Sequence, residues 1–94
     1  PPRMRIERTL AEAATNQTYA HVKYTVNTGD ILETMNFSTI PAGNMVIDLD
    51  RQTAKVGTTN IMQYYNVNSR FIVPITGLQS VVGTGTVKYR ERFS

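Results

Sequence analysis

The sequence predicts an all-β protein built as an antiparallel two-sheet β-sandwich. Three observations carry that reading. Thirteen Thr and seven Asn stand against only three Lys, and Thr suits a pleated surface better than a helix. Short runs alternate apolar and polar residues along the chain, the period of a half-buried strand. Turn signals interrupt these runs about every 8–12 residues, and no sustained helical period competes, so two packed sheets are the simplest burial. At 94 residues, the chain makes one domain, spanning 1–94.

Each element follows from local pattern. Met4 and Ile6 alternate with Arg3, Arg5 and Glu7, predicting a first half-buried strand. Ala11 to Ala14 favours helix but lasts only a turn before Thr15-Asn16-Gln17, so a loop is expected. Tyr19 to Val26 alternates clearly: Ala20, Val22, Tyr24 and Val26 share one face, and His21, Lys23 and Thr25 the other. Asn27-Thr28-Gly29-Asp30 is a turn signal, and Ile31 to Ser38 a second run with Ile31, Met35 and Phe37 in phase. Pro41-Ala-Gly-Asn44 closes it. Met45, Ile47 and Leu49 then alternate with Val46, Asp48 and Asp50, and Ala54 and Val56 begin a return strand after a tight Asp50–Thr53 connection. Asn60 to Tyr65 reads as a short helical turn and Asn66 to Ser69 as loop. Phe71 to Ile75 reads as a strand that Pro74 confines to an edge or an end. After a turn at Gly77-Leu-Gln79, Gly83 to Phe93 gives a last strand. Its Val87, Tyr89 and Phe93 face the core, opposite Thr86, Lys88, Arg90 and Arg92. The total is seven or eight strands.

Bulk properties exclude several function classes. Net charge is +3, with ten basic residues spread among seven acids. That is a poor footprint for nucleic acid. Cysteine is absent, which removes disulfides and thiolate chemistry. No apolar run approaches the roughly 20 residues that span a bilayer, so no membrane partner is expected, and no signal peptide is visible. The chain opens Pro1-Pro2-Arg3, which suggests a domain cut from a longer polypeptide.

Candidate sites are few. His21 is the single histidine, so neither a catalytic triad nor a His-rich metal site can be assembled; it reads as a surface or interface residue. Asp48 and Asp50, two apart on a strand, share a face. Asp48-Leu-Asp-Arg breaks the calcium-loop pattern at once, leaving Asp48 as a solvated strand residue and Asp50 as the cap of the turn. The acids Glu7, Glu12, Asp30, Glu33, Asp48, Asp50 and Glu91 form no motif for paired-carboxylate hydrolysis. Gly83-Thr-Gly85 precedes strand formers rather than a helix, so its glycines serve a bend or bulge, not a phosphate. Lys88, Arg90 and Arg92 form a basic stripe. Without interleaved aromatics on its own face, it suits a solvated surface or an acidic protein contact rather than nucleic acid. Tyr64-Tyr65 is the one adjacent aromatic pair; it could stack on a sugar ring or lie as a lid on the core. The glycosylation sequons at Asn16-Gln-Thr18 and Asn36-Phe-Ser38 are of chance frequency. No catalytic residue, metal ligand or cofactor is expected.

Two segments together resemble the C-terminal domain of siphophage distal tail proteins. The first is Ala42-Gly-Asn-Met-Val-Ile-Asp48 with Arg51 and Val56-Gly57; the second is the closing Val87-Lys-Tyr-Arg-Glu-Arg-Phe93. In that family a glycine precedes a hydrophobic strand ending Ile-Asp, and a Tyr-Arg-x-Arg-aromatic strand ends the domain. Phe71 to Gly77 stands where the family has a phenylalanine and a Pro-Gly-x-Asn turn; here Pro74 comes three residues before Gly77, and Gln79 replaces the Asn. The resemblance spans about Asn27 to Phe93. It implies a galectin-like, jelly-roll-like sandwich and a structural, non-enzymatic component of the phage tail tip, the baseplate hub. It further implies a virion location, after synthesis in the bacterial cytoplasm. The implied partners are the tail tube, the tail hub and receptor-binding or accessory baseplate proteins, with a hexameric ring built by a separate N-terminal domain. Lys88, Arg90 and Arg92 are the expected protein contacts. The alternative is a carbohydrate-binding module of phage or bacterial origin, with Tyr64 or Tyr65 as stacking platform.

Overall fold

The structure, a computed structural model, describes residues 3–25, 29–67, 69–75 and 79–90. The turn residues Asn27, Thr28, Gly77 and Leu78, and the terminal Arg92 and Phe93, lie outside them. Among the described residues the chain forms eight strands: β1 (Arg3–Leu10), β2 (Ala14–Thr25), β3 (Gly29–Ile40), β4 (Gly43–Asp48), β5 (Thr53–Val56), β6 (Thr59–Asn60), β7 (Gln79–Val82) and β8 (Thr86–Arg90). They make two antiparallel sheets, ordered β6-β5-β4-β1-β8 and β3-β2-β7. The expected β-sandwich is what forms. Its extents are 41 × 30 × 19 Å. The shortest axis fits two sheets about 10 Å apart with side chains outside, and the longest matches twelve-residue strands at about 3.3 Å per residue.

Local chemistry sets the hairpins. β2 and β3 keep one register from Ala14↔Ile40 to Thr25↔Gly29, with Asn16, at φ 51°, stepping out of the ladder, so β2 begins five residues before Tyr19, where a loop was expected. In the β4–β5 turn, Asp48 Oδ1 accepts from the N–H of both Asp50 and Arg51, each at 3.0 Å. Asp48 therefore caps this turn, not Asp50: a carboxylate reaches the N–H groups two and three residues ahead of it. Gln52 completes the turn at φ 57°. A tight turn then leads through β6 into a 3₁₀ turn, Ile61–Tyr64, capped by Asn60 Oδ1 accepting from Met62 N.

The connection from Tyr65 to Ile75 departs from expectation. Phe71 to Ile75 joins no strand ladder. Pro74 has no N–H to give, and the neighbouring donors take other partners: Val73 N donates to Glu33 Oε1 and Ile75 N to Gln79 Oε1. Upstream, Asn66 N and Arg70 N donate to the carbonyls of Asn36 and Thr34. The segment thus covers part of the β3 edge, which would otherwise offer unpaired backbone groups.

Gly83-Thr84-Gly85 is the bend that carries the chain from β7 in one sheet to β8 in the other. A Cβ on Gly83 would sit 2.5 Å from Tyr19 Cδ1, so this crossing needs its glycine for close approach.

The core lies between the sheets. Met4, Ile6, Met45, Ile47, Ala54 and Val56 come from the larger sheet, and Tyr19, Met35, Phe37 and Ile40 from the smaller. Tyr19 Oη reaches Met45 Sδ at 3.8 Å across the layers. Tyr19, Phe37, Tyr65 and Phe71 form a chain of ring contacts with centroids 6.5, 5.5 and 5.8 Å apart, the tilted geometry aromatic pairs favour. Val87 shares the phase of Ile6, its partner in register, yet stays 39% exposed because β8 is an edge strand.

Candidate functional site

β2 turns the face opposite to the one its pattern suggests. Tyr19 and His21 point into the core; Ala20 and Val22 lie half-buried on the outside. His21 is 0% exposed, which corrects the expectation of a surface histidine. The physical reason is a set of partners that the alternation does not reveal. His21 faces Glu33 directly in the β2–β3 register, and its Nδ1 lies 3.1 Å from Glu33 Oε1. On the other side its Nε2 lies 2.8 Å from Gln79 Oε1. Gln79, at the start of β7, also closes a two-point clasp on the backbone of Ile75: Ile75 N donates to Oε1 and Nε2 donates to the Ile75 carbonyl. A buried polar group is tolerated when its partners are in place, and here both ring nitrogens have one.

One signal for this cluster was present in the sequence. Glu33 lies two and four residues before Met35 and Phe37, in the core phase of β3. An acid in that phase needs a buried partner, and the observed β2–β3 register brings His21 opposite. The imidazole itself is sealed from solvent, and the cluster fastens strands to one another.

The aromatic pair divides. Tyr65 lines an open groove of about 570 Å³, together with the apolar Met62, Val67 and Phe71 and the polar Gln52, Ser69 and Arg70. Tyr64 is half-buried against the core outside that groove, and its carbonyl accepts from Ser38 Oγ. Tyr65 is held in place by Phe37 and Phe71.

The outer face of the larger sheet is mixed in charge. Lys88 Nζ lies 3.2 Å from Glu7 Oε2, and Arg5 Nη2 lies 4.0 Å from the same oxygen. Lys88 is thus partly neutralised across the β1–β8 pair. Arg90 ends β8 opposite Arg3 in the register. Asp48 and Asp50 do not form a pair, since the first is committed to the turn and the second lies within it. Among the described residues, no group of three His, Asp or Glu is placed to hold a metal ion, and no helix is long and apolar enough to cross a membrane.

The outer face of the smaller sheet differs. Ala20 lies opposite Val82 in the β2–β7 register, and Val82 is 62% exposed. With Val22, these residues make an apolar strip that the protein's own core does not use. Compared with models of protein families, with curated proteins and with solved structures, the chain matches none.

Proposed function

We propose that this chain is a non-enzymatic docking module of a phage tail tip, acting as the peripheral domain of a distal tail protein does. The observation that supports this most is the reversed face of β2. Its valine and alanine, with Val82, lie on an outer sheet face, and an apolar strip left outside a domain's core suits contact with another protein. The resemblance adds to it, because both segments that carry it flank β1 in one sheet: the β4–β5 hairpin on one side and β8 on the other. In this reading the strip receives a receptor-binding or accessory baseplate protein, and Lys88 adds charge at the opposite sheet. Light scattering on mixtures with baseplate proteins tests it. Co-elution that Val82→Asp abolishes supports docking through this face. Tail particles that assemble without the chain would contradict a tail-tip role.

A second reading is carbohydrate binding at the Tyr65 groove. An aromatic wall with a few polar groups is the usual lining of a small-ligand site, and Tyr65 and Phe71 stand beside Gln52, Ser69 and Arg70 there. A glycan array with the folded chain discriminates. Binding lost in Tyr65→Ala favours this reading, and a blank array removes it.

A further inference from the structure

The groove beside Tyr65 stands on a backbone pinned to its neighbours. Tyr65 N donates to the Met62 carbonyl, Asn66 N to that of Asn36, Ser69 N to that of Asn66 and Arg70 N to that of Thr34, at 3.1, 2.8, 2.9 and 2.9 Å. Ser69 Oγ donates to the Asn66 carbonyl at 2.6 Å and accepts from Asn36 N at 3.3 Å. The lining side chains thus stand on a segment fixed to β3 and to the 3₁₀ turn, and a wall fixed in advance loses little order when a ligand binds. Tyr65 and Phe71 have ring centroids 5.8 Å apart and planes tilted by 45°, so they form two facets of a corner. Tyr65 Oη is enclosed and has no hydrogen-bond partner among the described residues; what Tyr65 presents to the groove is its ring. Arg70 is the only charged residue of the lining. It is exposed, and its guanidinium makes no hydrogen bond or ion pair with a described residue. No carboxylate lines the groove to compete for it, and Asp48 Oδ1, in the turn that carries Gln52, is taken by two backbone N–H groups.

We propose that this groove selects an acidic sugar, a pyranose unit bearing a carboxylate, with its C–H face against Tyr65 and Phe71 and its carboxylate on Arg70. The inference rests on the carbohydrate reading of the groove and adds the charge of the ligand. A pyranose has an apolar face of C–H bonds and a rim of hydroxyls. The face matches the aromatic corner, and the hydroxyls match the amide of Gln52 and the hydroxyl of Ser69. A guanidinium offers paired N–H donors in one plane, which a carboxylate accepts two at a time. The groove volume, about 570 Å³, falls within the roughly 300–1,000 Å³ of small-ligand sites. Because Arg70 borders open water, leaving it unpaired costs little, so a neutral sugar is tolerated and an acidic one preferred. One charge-assisted pair at such a half-open site is worth about fivefold to tenfold in affinity.

Titration calorimetry on the 94-residue chain tests the assignment. The probes are oligosaccharides of galacturonic, glucuronic and sialic acid, each beside its methyl ester, which keeps the ring and hydroxyls and removes the charge. At least one acid is expected to bind about fivefold to tenfold more tightly than its ester. Arg70 is exposed and its guanidinium holds no described neighbour, so Arg70→Gln leaves the core intact. In that variant the preference for the acid is expected to vanish while the ester binds as before. Tyr65→Phe removes only the enclosed hydroxyl and is expected to bind as the unaltered chain does. Equal binding of acid and ester, a preference that survives Arg70→Gln, or loss of binding in Tyr65→Phe would overturn the assignment and leave the carbohydrate reading standing. No binding of any acid or ester would overturn both.

Discussion

Both sheets of this sandwich bury apolar residues, but they differ in what accompanies them. In the five-stranded sheet, apolar residues face inward and charges outward: Met45 and Ile47 are buried, while Arg5, Glu7 and Lys88 meet on the surface. In the three-stranded sheet, a histidine and a glutamate point inward beside Tyr19, Met35 and Phe37, and along β2 alanine and valine lie outside. Hydrophobic alternation thus locates a core face only where the burial of apolar side chains outweighs every competing interaction. Where a complete set of hydrogen bonds satisfies inward polar groups, the apolar face is released to the surface and becomes available to a partner.

Substitutions on each side break or sharpen that contrast. The largest effect is expected at Phe37, which is fully buried and touches the rings of Tyr19 and Tyr65. Phe37→Ala should cost about 4 kcal/mol in urea unfolding, a large share of the roughly 5–15 kcal/mol such a domain has. Next is His21→Leu, which keeps the volume apolar but leaves Glu33 buried without its contact to the ring. A loss of about 3 kcal/mol is expected; a neutral or stabilising result would show that the inward polar face is dispensable. On the five-stranded sheet, Asp48→Ala removes the acceptor for two turn N–H groups and should cost about 1–2 kcal/mol. The smallest effect is Lys88→Ala. Its ion pair with Glu7 is more than half exposed at the lysine, so a change below about 0.5 kcal/mol is expected, shrinking further in salt.

Much of this fold was legible in the sequence because its strands obey simple alternation. Met4 and Ile6, Met35 and Phe37, and Met45 and Ile47 each announced their buried face. The 3₁₀ turn after Asn60 and the glycine bend at Gly83 and Gly85 were legible for local reasons: a capping amide, and residues that allow close approach. What was not legible depends on partners distant in sequence. Gln79 lies fifty-eight positions from His21, and no local pattern indicates that its amide waits there. The segment through Val73 and Ile75 looked like a strand because its composition is strand-like, yet its N–H groups go to side chains of Glu33 and Gln79. Tyr64 and Tyr65 are indistinguishable by type, and only the packing of Phe37 and Phe71 assigns Tyr65 to the groove.

The central claim is that β2 turns its histidine inward and its small apolar residues outward. Because the chain has one histidine, chemical modification reads this directly. Diethyl pyrocarbonate acylates accessible imidazole, and mass spectrometry counts the adduct. The folded chain is expected to resist acylation at His21 and to accept it once unfolded in urea. Acylation of His21 in the folded chain at the rate of the unfolded one would contradict the inward face, and with it both the buried His21–Glu33–Gln79 cluster and the outer apolar strip.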